Sequence, residues 1–307
     1  NLSTDAPGSV RINTFNVTAS GSITFNDAVL LGAPVTLTAQ DVTLASTVDA
    51  IGNASLDVIA SGVTTFGGVI GGTTPLVYLN TDAAGSVRLN SGVITVQNGI
   101  TFYDNATLGD NLVLNSSAGV GFGGTIDSAT TTARNLTVNV STSNGPGVIR
   151  LVGNVGATHA LGAVALNSVA ETRIDGTMNL GSLTTNAGGT LVLNGKSVTA
   201  SGAITLNDAV GLGDDTVLTG QNVTFKSTID GAHSLEVKDS GVTTFEGAIG
   251  GATALTSLTT DAPGSVALKA GTVEVDGPVT FRDAVNLLAN AVIDGNAVSF
   301  KSTIDGA

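Results

Sequence analysis

The sequence contains no cysteine, and charged residues make up only 11% of its 307 positions. Without cysteine there is no disulfide framework, a composition that suits a secreted chain because it cannot form stray bridges during export. The formal net charge is −13, whereas nucleic-acid binding requires a basic surface and anionic membranes attract basic segments. We therefore expect no nucleic-acid partner and no attraction to a membrane surface.

Long apolar runs and strong helix formers are also missing. No run of 18 apolar residues occurs, so we expect no membrane insertion of this segment. Glycine, 41 of 307 residues, interrupts the chain repeatedly and disfavours helices. The hydrophobic fraction still reaches 42%, mostly Val, Leu, Ile and Ala interleaved with Thr, Ser and Asn, which is typical of strands. The chain opens on NLSTDAPGS without Met or a signal peptide, so we expect an interior fragment of a longer protein.

What the sequence has is repetition. TDAPGS at residues 4–9 returns as TDAAGS at 81–86 and as TDAPGS at 260–265, with a weaker copy, TNAGGT, at 185–190. The first and last intervals between copies are nearly equal, and the middle interval is longer. We predict internal repeats at 4–80, 81–184, 185–259 and 260–307. The departure from the copy over 128–184 is interpreted as a longer loop and one extra coil near 168–184.

Each repeat divides into pieces of about 19 residues that contain two or three short alternating runs bounded by turn residues. Such a period predicts a parallel β-helix, here a single solenoid over 1–307 with about 16 coils and four coils per repeat. A β-sandwich is the rival, but it needs hairpin turns at every strand end and predicts no single period.

Phenylalanine follows the same repeat, which predicts that these rings lie in the core. Eight of the nine Phe residues fall into three columns of equivalent positions, otherwise occupied by Leu. The columns are Phe25, Phe102 and Phe281; Phe66 and Phe245; and Phe122, Phe225 and Phe300.

Recurrent aspartates are the first candidates for chemistry. One column contains Asp27, Asp104, Asp208 and Asp283, and another contains Asp49, Asp127, Asp230 and Asp305. They could bind calcium or shape turns. Copies four coils apart would be separated by about 19 Å, too far for one ion, so we favour turn chemistry and predict no metal or cofactor site.

Catalytic groupings are equally sparse. Asp214 and Asp215 form the one adjacent acidic pair, in what reads as a solvated turn, and His159 and His233 are the only histidines. No Ser-His-Asp arrangement can be assembled from them, so we predict no catalytic residue and no enzyme. Thr36–Thr38, the one Thr-x-Thr that could bind ice, is not repeated in register. Eight Asn-x-Ser/Thr sequons, including Asn16, Asn53, Asn135 and Asn222, matter only in a host that glycosylates them.

Four features of the sequence point to one group of proteins: the ~19-residue coils, the segments that open with VT and close with IDG or IGG, the absence of Cys and the scarcity of Lys. In these features the chain resembles the repetitive part of filamentous haemagglutinin-like and autotransporter-type bacterial adhesins. The resemblance implies a right-handed β-helical stalk that is exported and displayed, extracellular, at the bacterial cell surface. The secretion domain and any contact with a host-surface or carbohydrate receptor would lie outside this fragment.

We therefore expect a non-catalytic stalk segment. Two alternatives are a self-assembling filament or surface-layer subunit, and a carbohydrate-active β-helix enzyme. The last coil, with Val298, Phe300 and Ile304, should expose apolar columns that roughly complement Val10 and Ile12 of the first. Head-to-tail self-association is therefore a further prediction.

Overall fold

The computed structural model describes residues 1–306, which form β-strands and turns with no helix. The strands are parallel and stack as a β-solenoid of about 15 turns, which confirms the predicted fold class with about one turn fewer. The chain divides into two compact units, Asn1–Leu161 and the part from Gly162 onward. Strand β20 (Leu161–Ser168) begins at this division. The single solenoid and its repeat boundaries stay predictions.

The first unit has three faces, and each turn contributes one strand to each face, except that one turn contributes the single bridging residue Ile70 to the second face. The first face consists of β1 (Leu2–Ser3), β4 (Ser22–Phe25), β7 (Asp41–Leu44), β10 (Val63–Phe66), β12 (Ser86–Leu89), β14 (Asn105–Leu108) and β17 (Ile126–Ser128). The second consists of β2 (Ser9–Ile12), β5 (Ala28–Leu31), β8 (Val48–Ala50), the first half of β13 (Val93–Phe102), β15 (Leu112–Ser116) and β18 (Leu136–Val140). The third consists of β3 (Asn16–Thr18), β6 (Val35–Ala39), β9 (Leu56–Ala60), β11 (Leu76–Thr81), the second half of β13, β16 (Gly119–Phe122) and β19 (Val148–Leu151).

The second unit also has three faces. One consists of β21 (Glu171–Ile174), β23 (Thr190–Leu193), β26 (Ala209–Leu212), β29 (Ile229–Asp230), β34 (Thr272–Glu274) and β37 (Val292–Asp294). The next consists of the first half of β22 (Met178–Thr185), β24 (Ser197–Ala200), β27 (Thr216–Gly220), β30 (Ser234–Asp239), β32 (Ser257–Thr260), β35 (Pro278–Phe281) and β38 (Ala297–Phe300). The last consists of the second half of β22, β25 (Ile204–Leu206), β28 (Val223–Phe225), β31 (Val242–Phe245), β33 (Ser265–Leu268), β36 (Ala284–Leu287) and β39 (Ile304–Gly306).

Turn length varies with the loops between strands. Ser22 pairs with Asp41, whereas Val63 pairs with the more distant Ser86, so the later turn is longer. The longest of these intervals spans the start of the departure at residue 128, where Gly119 pairs with Val148. The extra residues lie in the loops on either side of β18, so within the first unit this departure lengthens loops around an otherwise regular turn.

The sequence repeat does not coincide with a whole number of turns. Between the copies at 4–9 and 81–86 lie ten strands, β2 to β11, and a single bridging residue, Ile70. Between the copies at 185–190 and 260–265 lie ten strands, β23 to β32, and the bridging residue Ile249. The first and third repeats thus have eleven strand positions each, or three and two-thirds turns, whereas the middle repeat, 81–184, is longer. The expectation of four coils per repeat was wrong, because turns such as the one from Val63 to Ser86 are longer than the assumed ~19 residues. Within each unit, the second copy therefore starts on a different face from the first.

The interior is filled by alternate residues of the strands. Phe25, Phe66, Phe102, Phe245 and Phe281 are each at most 2% exposed, which confirms their predicted burial. Rings meet one turn apart in three vertical pairs with centroids 5.2–5.3 Å apart, Phe102–Phe122, Phe225–Phe245 and Phe281–Phe300. Since every such pair joins two of the predicted columns, the columns describe the sequence repeat and not vertical stacks.

The recurring phrase IGG has a steric explanation. Gly71 and Gly250 occupy the same place in their copies and have positive φ angles of 67° and 73°. A Cβ at Gly71 would lie 2.1 Å from the carbonyl oxygen of Thr95, and one at Gly250 would lie 2.0 Å from that of Glu274. Only glycine combines this conformation with so close an approach of the next turn.

Candidate functional site

The second aspartate column fastens one turn of the solenoid to the next. Oδ1 of Asp49 accepts hydrogen bonds from the amides of Thr73 and Thr74, at 2.7 and 3.0 Å. Oδ1 of Asp127 does the same for Thr158 and His159, and Oδ1 of Asp230 for Ala252 and Thr253, all at 2.7–3.1 Å. Asp305 lies in β39. The expected turn role is therefore seen, but with the loop of the following turn and not with the aspartate's own backbone.

The first column is more deeply buried. Asp27, Asp104, Asp208 and Asp283 are 6%, 2%, 2% and 3% exposed. Oδ1 of Asp104 accepts the amide of Gly85 at 3.0 Å, and Oδ1 of Asp208 accepts that of Gly189 at 2.9 Å. Each donor belongs to a TDAPGS-type phrase in the preceding turn. The recurrent aspartate and the recurrent TDAPGS-type segment are thus joined by a hydrogen bond between adjacent turns.

These carboxyl groups retain polar atoms without a regular hydrogen bond. Oδ2 of Asp104, Oδ2 of Asp208 and Oδ1 of Asp283 are buried and have no hydrogen-bond partner of ordinary geometry. Burial raises the pKa of Asp104, and the facing Thr81 hydroxyl and the Gly85 amide only partly offset it. Burial likewise raises the pKa of Asp208 and that of Asp283. All three sites therefore favour the neutral acid more than water does.

A buried aspartate that the sequence reasoning did not single out is held most completely. Asp239 is 1% exposed, and its carboxylate accepts the amides of Asn222, Val223 and Gly241 at 2.7–2.8 Å and the Thr243 hydroxyl at 3.1 Å. Asn222 itself has a positive φ of 66°. The available signal was a mismatch, because Ala60 stands at the corresponding position of the earlier copy.

The adjacent acidic pair is engaged in turn hydrogen bonds. Oδ1 of Asp214 accepts the amide of Asp215, and Oδ1 of Asp215 accepts that of Ser234, both at 2.8 Å. The Ser234 hydrogen bonds lower the pKa of Asp215, with a smaller effect from His233, whose Nδ1 lies 3.8 Å from Oδ1. A general acid needs a raised pKa, so the lowered pKa of Asp215 does not suit that role. His159 belongs to the other unit, and its amide binds Asp127.

Threonine ladders run along the outside of both units. In the next turn Thr36 pairs with Asp57 and Thr38 pairs with Ile59. The Thr-x-Thr segment considered for ice binding is therefore not repeated there. Elsewhere single rows of threonine continue from turn to turn, through Thr24, Thr43 and Thr65 and through Thr184, Thr205, Thr224 and Thr244. Among the four named sequons, Asn222 is engaged structurally, since its Oδ1 accepts the Val242 amide at 3.2 Å.

Within residues 1–306, no group of three or more His, Cys, Asp or Glu side chains is arranged to hold a metal ion. The same residues include no helix long and apolar enough to cross a bilayer.

Comparison with known proteins gives no assignment. The chain matches no protein-family model, and neither curated proteins nor solved structures include a significant match.

Proposed function

We propose that this chain is a non-catalytic stalk segment of an exported bacterial surface protein of the adhesin type. The observation that carries the proposal is the eleven-strand repeat. Because three strands make a turn, the copy at 81–86 is displaced by one face from that at 4–9 within the first unit, and the copy at 260–265 from that at 185–190 within the second. If the repeat contained a ligand-binding site, the copies of that site would have to lie on one face of the solenoid. Copies that lie on different faces have only their inward contacts in common. Duplication of the repeat therefore preserves the stacking of the turns and lengthens the solenoid.

The polar contacts support the same function. The recurrent aspartates that accept hydrogen bonds do so from the backbone of an adjacent turn, and the recurrent Phe side chains fill the interior. The residues that recur from copy to copy are thus occupied in joining turns. The absence of Cys accords with an exported chain, because no stray disulfide can form during export.

Deleting one repeat tests the stalk function. Removing residues 186–260 joins equivalent positions of two copies, so the chain should fold and become shorter by three and two-thirds turns, about 18 Å. Particle lengths in electron micrographs would measure this. A matched control that removes residues 186–250 joins non-equivalent positions and should lose the cooperative unfolding transition. Equal behaviour of the two deletions would contradict the proposal.

Location needs a separate test. An epitope inserted at residues 142–145, in the loop between β18 and β19, should be accessible to antibody on intact cells that produce the parent protein. Labelling only after permeabilisation would overturn the surface location.

Self-assembly is a second candidate. In the first turn, Phe15 is 67% exposed beside a hollow of about 560 Å³ lined by Val10, Val17 and other residues. In the last described turn, Ile304 follows the buried Val285 in register and is 47% exposed. The polypeptide 1–307 should therefore associate head to tail. Sedimentation velocity at rising concentration would show growing species, and Ile304→Lys should suppress them. A strictly monomeric chain would contradict this candidate and leave the stalk function untouched.

A further inference from the structure

The two tyrosines depart from the repeat. Tyr103 stands where the other copies have Asn26, Asn207 and Arg282, and Tyr78 stands where they have Asn1, Ser182 and Ser257. Tyr103 is 56% and Tyr78 is 44% exposed, both in the first unit. The recurrent aromatic rings lie in the core, so an exposed ring at a polar position needs another explanation.

Tyr103 replaces an asparagine that donates a hydrogen bond to the preceding turn in two other copies of the repeat. Nδ2 of Asn26 donates to the Thr4 carbonyl at 2.6 Å, and Nδ2 of Asn207 donates to the Thr185 carbonyl. Tyrosine cannot repeat this bond to the equivalent Thr81 carbonyl from its ring position. The next turn accommodates the ring, because a Cβ at Gly123 would already lie 3.4 Å from Cδ1 of Tyr103. The solenoid thus loses one turn-to-turn bond and keeps an exposed aromatic surface.

The ring lines a hollow of about 410 Å³ on the third face. The other side chains that matter there are Ile59, Asp57, Asn80 and Asp82. Ile59 is 45% exposed, and it too departs from the repeat, since the later copy has Lys238 at this position. The apolar part of the hollow thus consists of two side chains, Ile59 of the first repeat and Tyr103 of the second, that each replace a polar residue of another copy.

The charges of the hollow select its ligand. Two carboxylates, Asp57 and Asp82, line it, and no Lys or Arg does. One oxygen of each is used internally, Oδ1 of Asp57 by the Asn80 amide group at 2.8 Å and Oδ1 of Asp82 by the Ala60 amide at 3.0 Å. A cation is attracted both by carboxylates and by the face of a tyrosine ring, and an aliphatic stem packs on an isoleucine. An anionic ligand is repelled.

We propose that this hollow binds an arginine or lysine side chain presented by a basic peptide segment of a partner. The guanidinium or ammonium group lies against Tyr103 and is paired by Asp57 and Asp82, while the methylene stem contacts Ile59. This inference goes beyond the stalk function, because it gives one stretch of successive turns a partner-binding site that depends on side chains absent from the other copies of the repeat.

Tyrosine fluorescence tests the site directly, because the chain has two Tyr and no Trp. In a Tyr78→Phe variant of the 307-residue chain, Tyr103 is the only tyrosine. Titration with a nona-arginine peptide should change its emission in a saturable way. No change while the peptide binds, measured by anisotropy of a labelled peptide, would overturn the proposal.

Two substitutions taken from the sibling copies complete the test. Tyr103→Asn leaves the net charge unchanged and should weaken peptide binding about 5- to 30-fold, and Ile59→Lys should weaken it at least as much. Asp276→Asn, which removes one exposed charge in the second unit, is the matched control and should have little effect. If Tyr103→Asn binds as wild type does, the attraction is only general electrostatics and the proposal fails. It fails also if a neutral oligosaccharide, and not the peptide, shows the Tyr103 dependence.

Discussion

Residues 61–72, SGVTTFGGVIGG, and residues 240–251, SGVTTFEGAIGG, agree at ten of twelve positions but lie in different units and different surroundings. Their strands, Val63–Phe66 and Val242–Phe245, have the same inward pattern. The Thr243 hydroxyl donates to Asp239, whereas the equivalent Thr64 hydroxyl is buried without a partner, because Ala60 stands at the place of Asp239. The equivalent threonines of the two copies therefore contribute differently to stability, and the difference is set by a residue just outside the repeated segment.

The outer side of the two copies differs as well. Glu246 of the later copy accepts hydrogen bonds from Lys226 and Lys269, both at 2.9 Å, and the hydrogen bonds of Lys269 and Lys226 lower its pKa. The earlier copy has Gly67 there, with no side chain to pair. The comparison shows that the two copies share the same pattern of buried apolar side chains, while their polar contacts differ.

The largest expected effect concerns these shared apolar side chains. Phe66→Ala and Phe245→Ala should each lower the free energy of unfolding by about 3–5 kcal/mol, because both rings are fully buried. The two losses should be similar, since each ring also contacts a second aromatic ring, Phe66 that of Phe102 at 6.3 Å and Phe245 that of Phe225 at 5.2 Å. Urea denaturation followed by circular dichroism measures both. An unchanged midpoint for either variant would contradict the assignment of these rings to the core.

Asp239→Ala should come next. It leaves three amides and a hydroxyl without their acceptor, the Val223 amide and the Thr243 hydroxyl among buried residues, so we expect a loss of about 2–4 kcal/mol. The converse change, Ala60→Asp, should also destabilise, because the amide of Gly62 already donates to the Gln40 carbonyl. Thermal unfolding of both variants is the measurement. If Ala60→Asp proved stabilising, the difference between the two sites would not lie in their backbone donors.

A smaller and opposite pair of effects is expected at the equivalent threonines. Thr243→Val breaks a hydrogen bond to a carboxylate and should cost about 1–2 kcal/mol. Thr64→Val removes an unpaired buried hydroxyl and should be neutral or stabilise by up to about 1 kcal/mol. Tyrosine fluorescence reports unfolding of the first unit, which contains both tyrosines, and circular dichroism follows the whole chain. Losses of equal size at both sites would remove the contrast between the copies.

The smallest effect is a pH dependence shared by both units. The pKa values of Asp104 and Asp208 are raised in the folded chain, so their contribution to stability is full below the ordinary value of 3.8 and is lost as pH rises through the folded pKa. Acidification from about pH 7 to about pH 4.5 should therefore raise the thermal midpoint through these groups. Glu246 acts oppositely, and only below its ordinary value of 4.5. Asp208→Asn should flatten the dependence, and an unchanged slope would show that burial does not control this carboxyl.

Much of the fold could be predicted from local patterns. Alternation of apolar and polar residues indicated strands, the recurrence of similar short pieces indicated parallel stacking, and the repeat placed Phe25, Phe102 and Phe281 in the core. These inferences hold because burial of alternate side chains is a property of each strand and its neighbours in the chain. The two exposed tyrosines were also visible as departures from the repeat, but the hollow that Tyr103 shares with Asp57 and Asp82 was not.

By itself, the sequence determined that the chain forms short strands, that these repeat, and which side chains face inward. Only the tertiary structure decided the number of strands in a repeat, because a single bridging residue such as Ile70 or Ile249 has no pattern of its own. It also decided that Asp49 binds the amides of Thr73 and Thr74, and that Asp239 has four donors while its counterpart is Ala60. The physical reason is that the contacts of Asp49, and those of Asp239 with Asn222 and Val223, join residues about one turn apart, and the length of each turn depends on its loops.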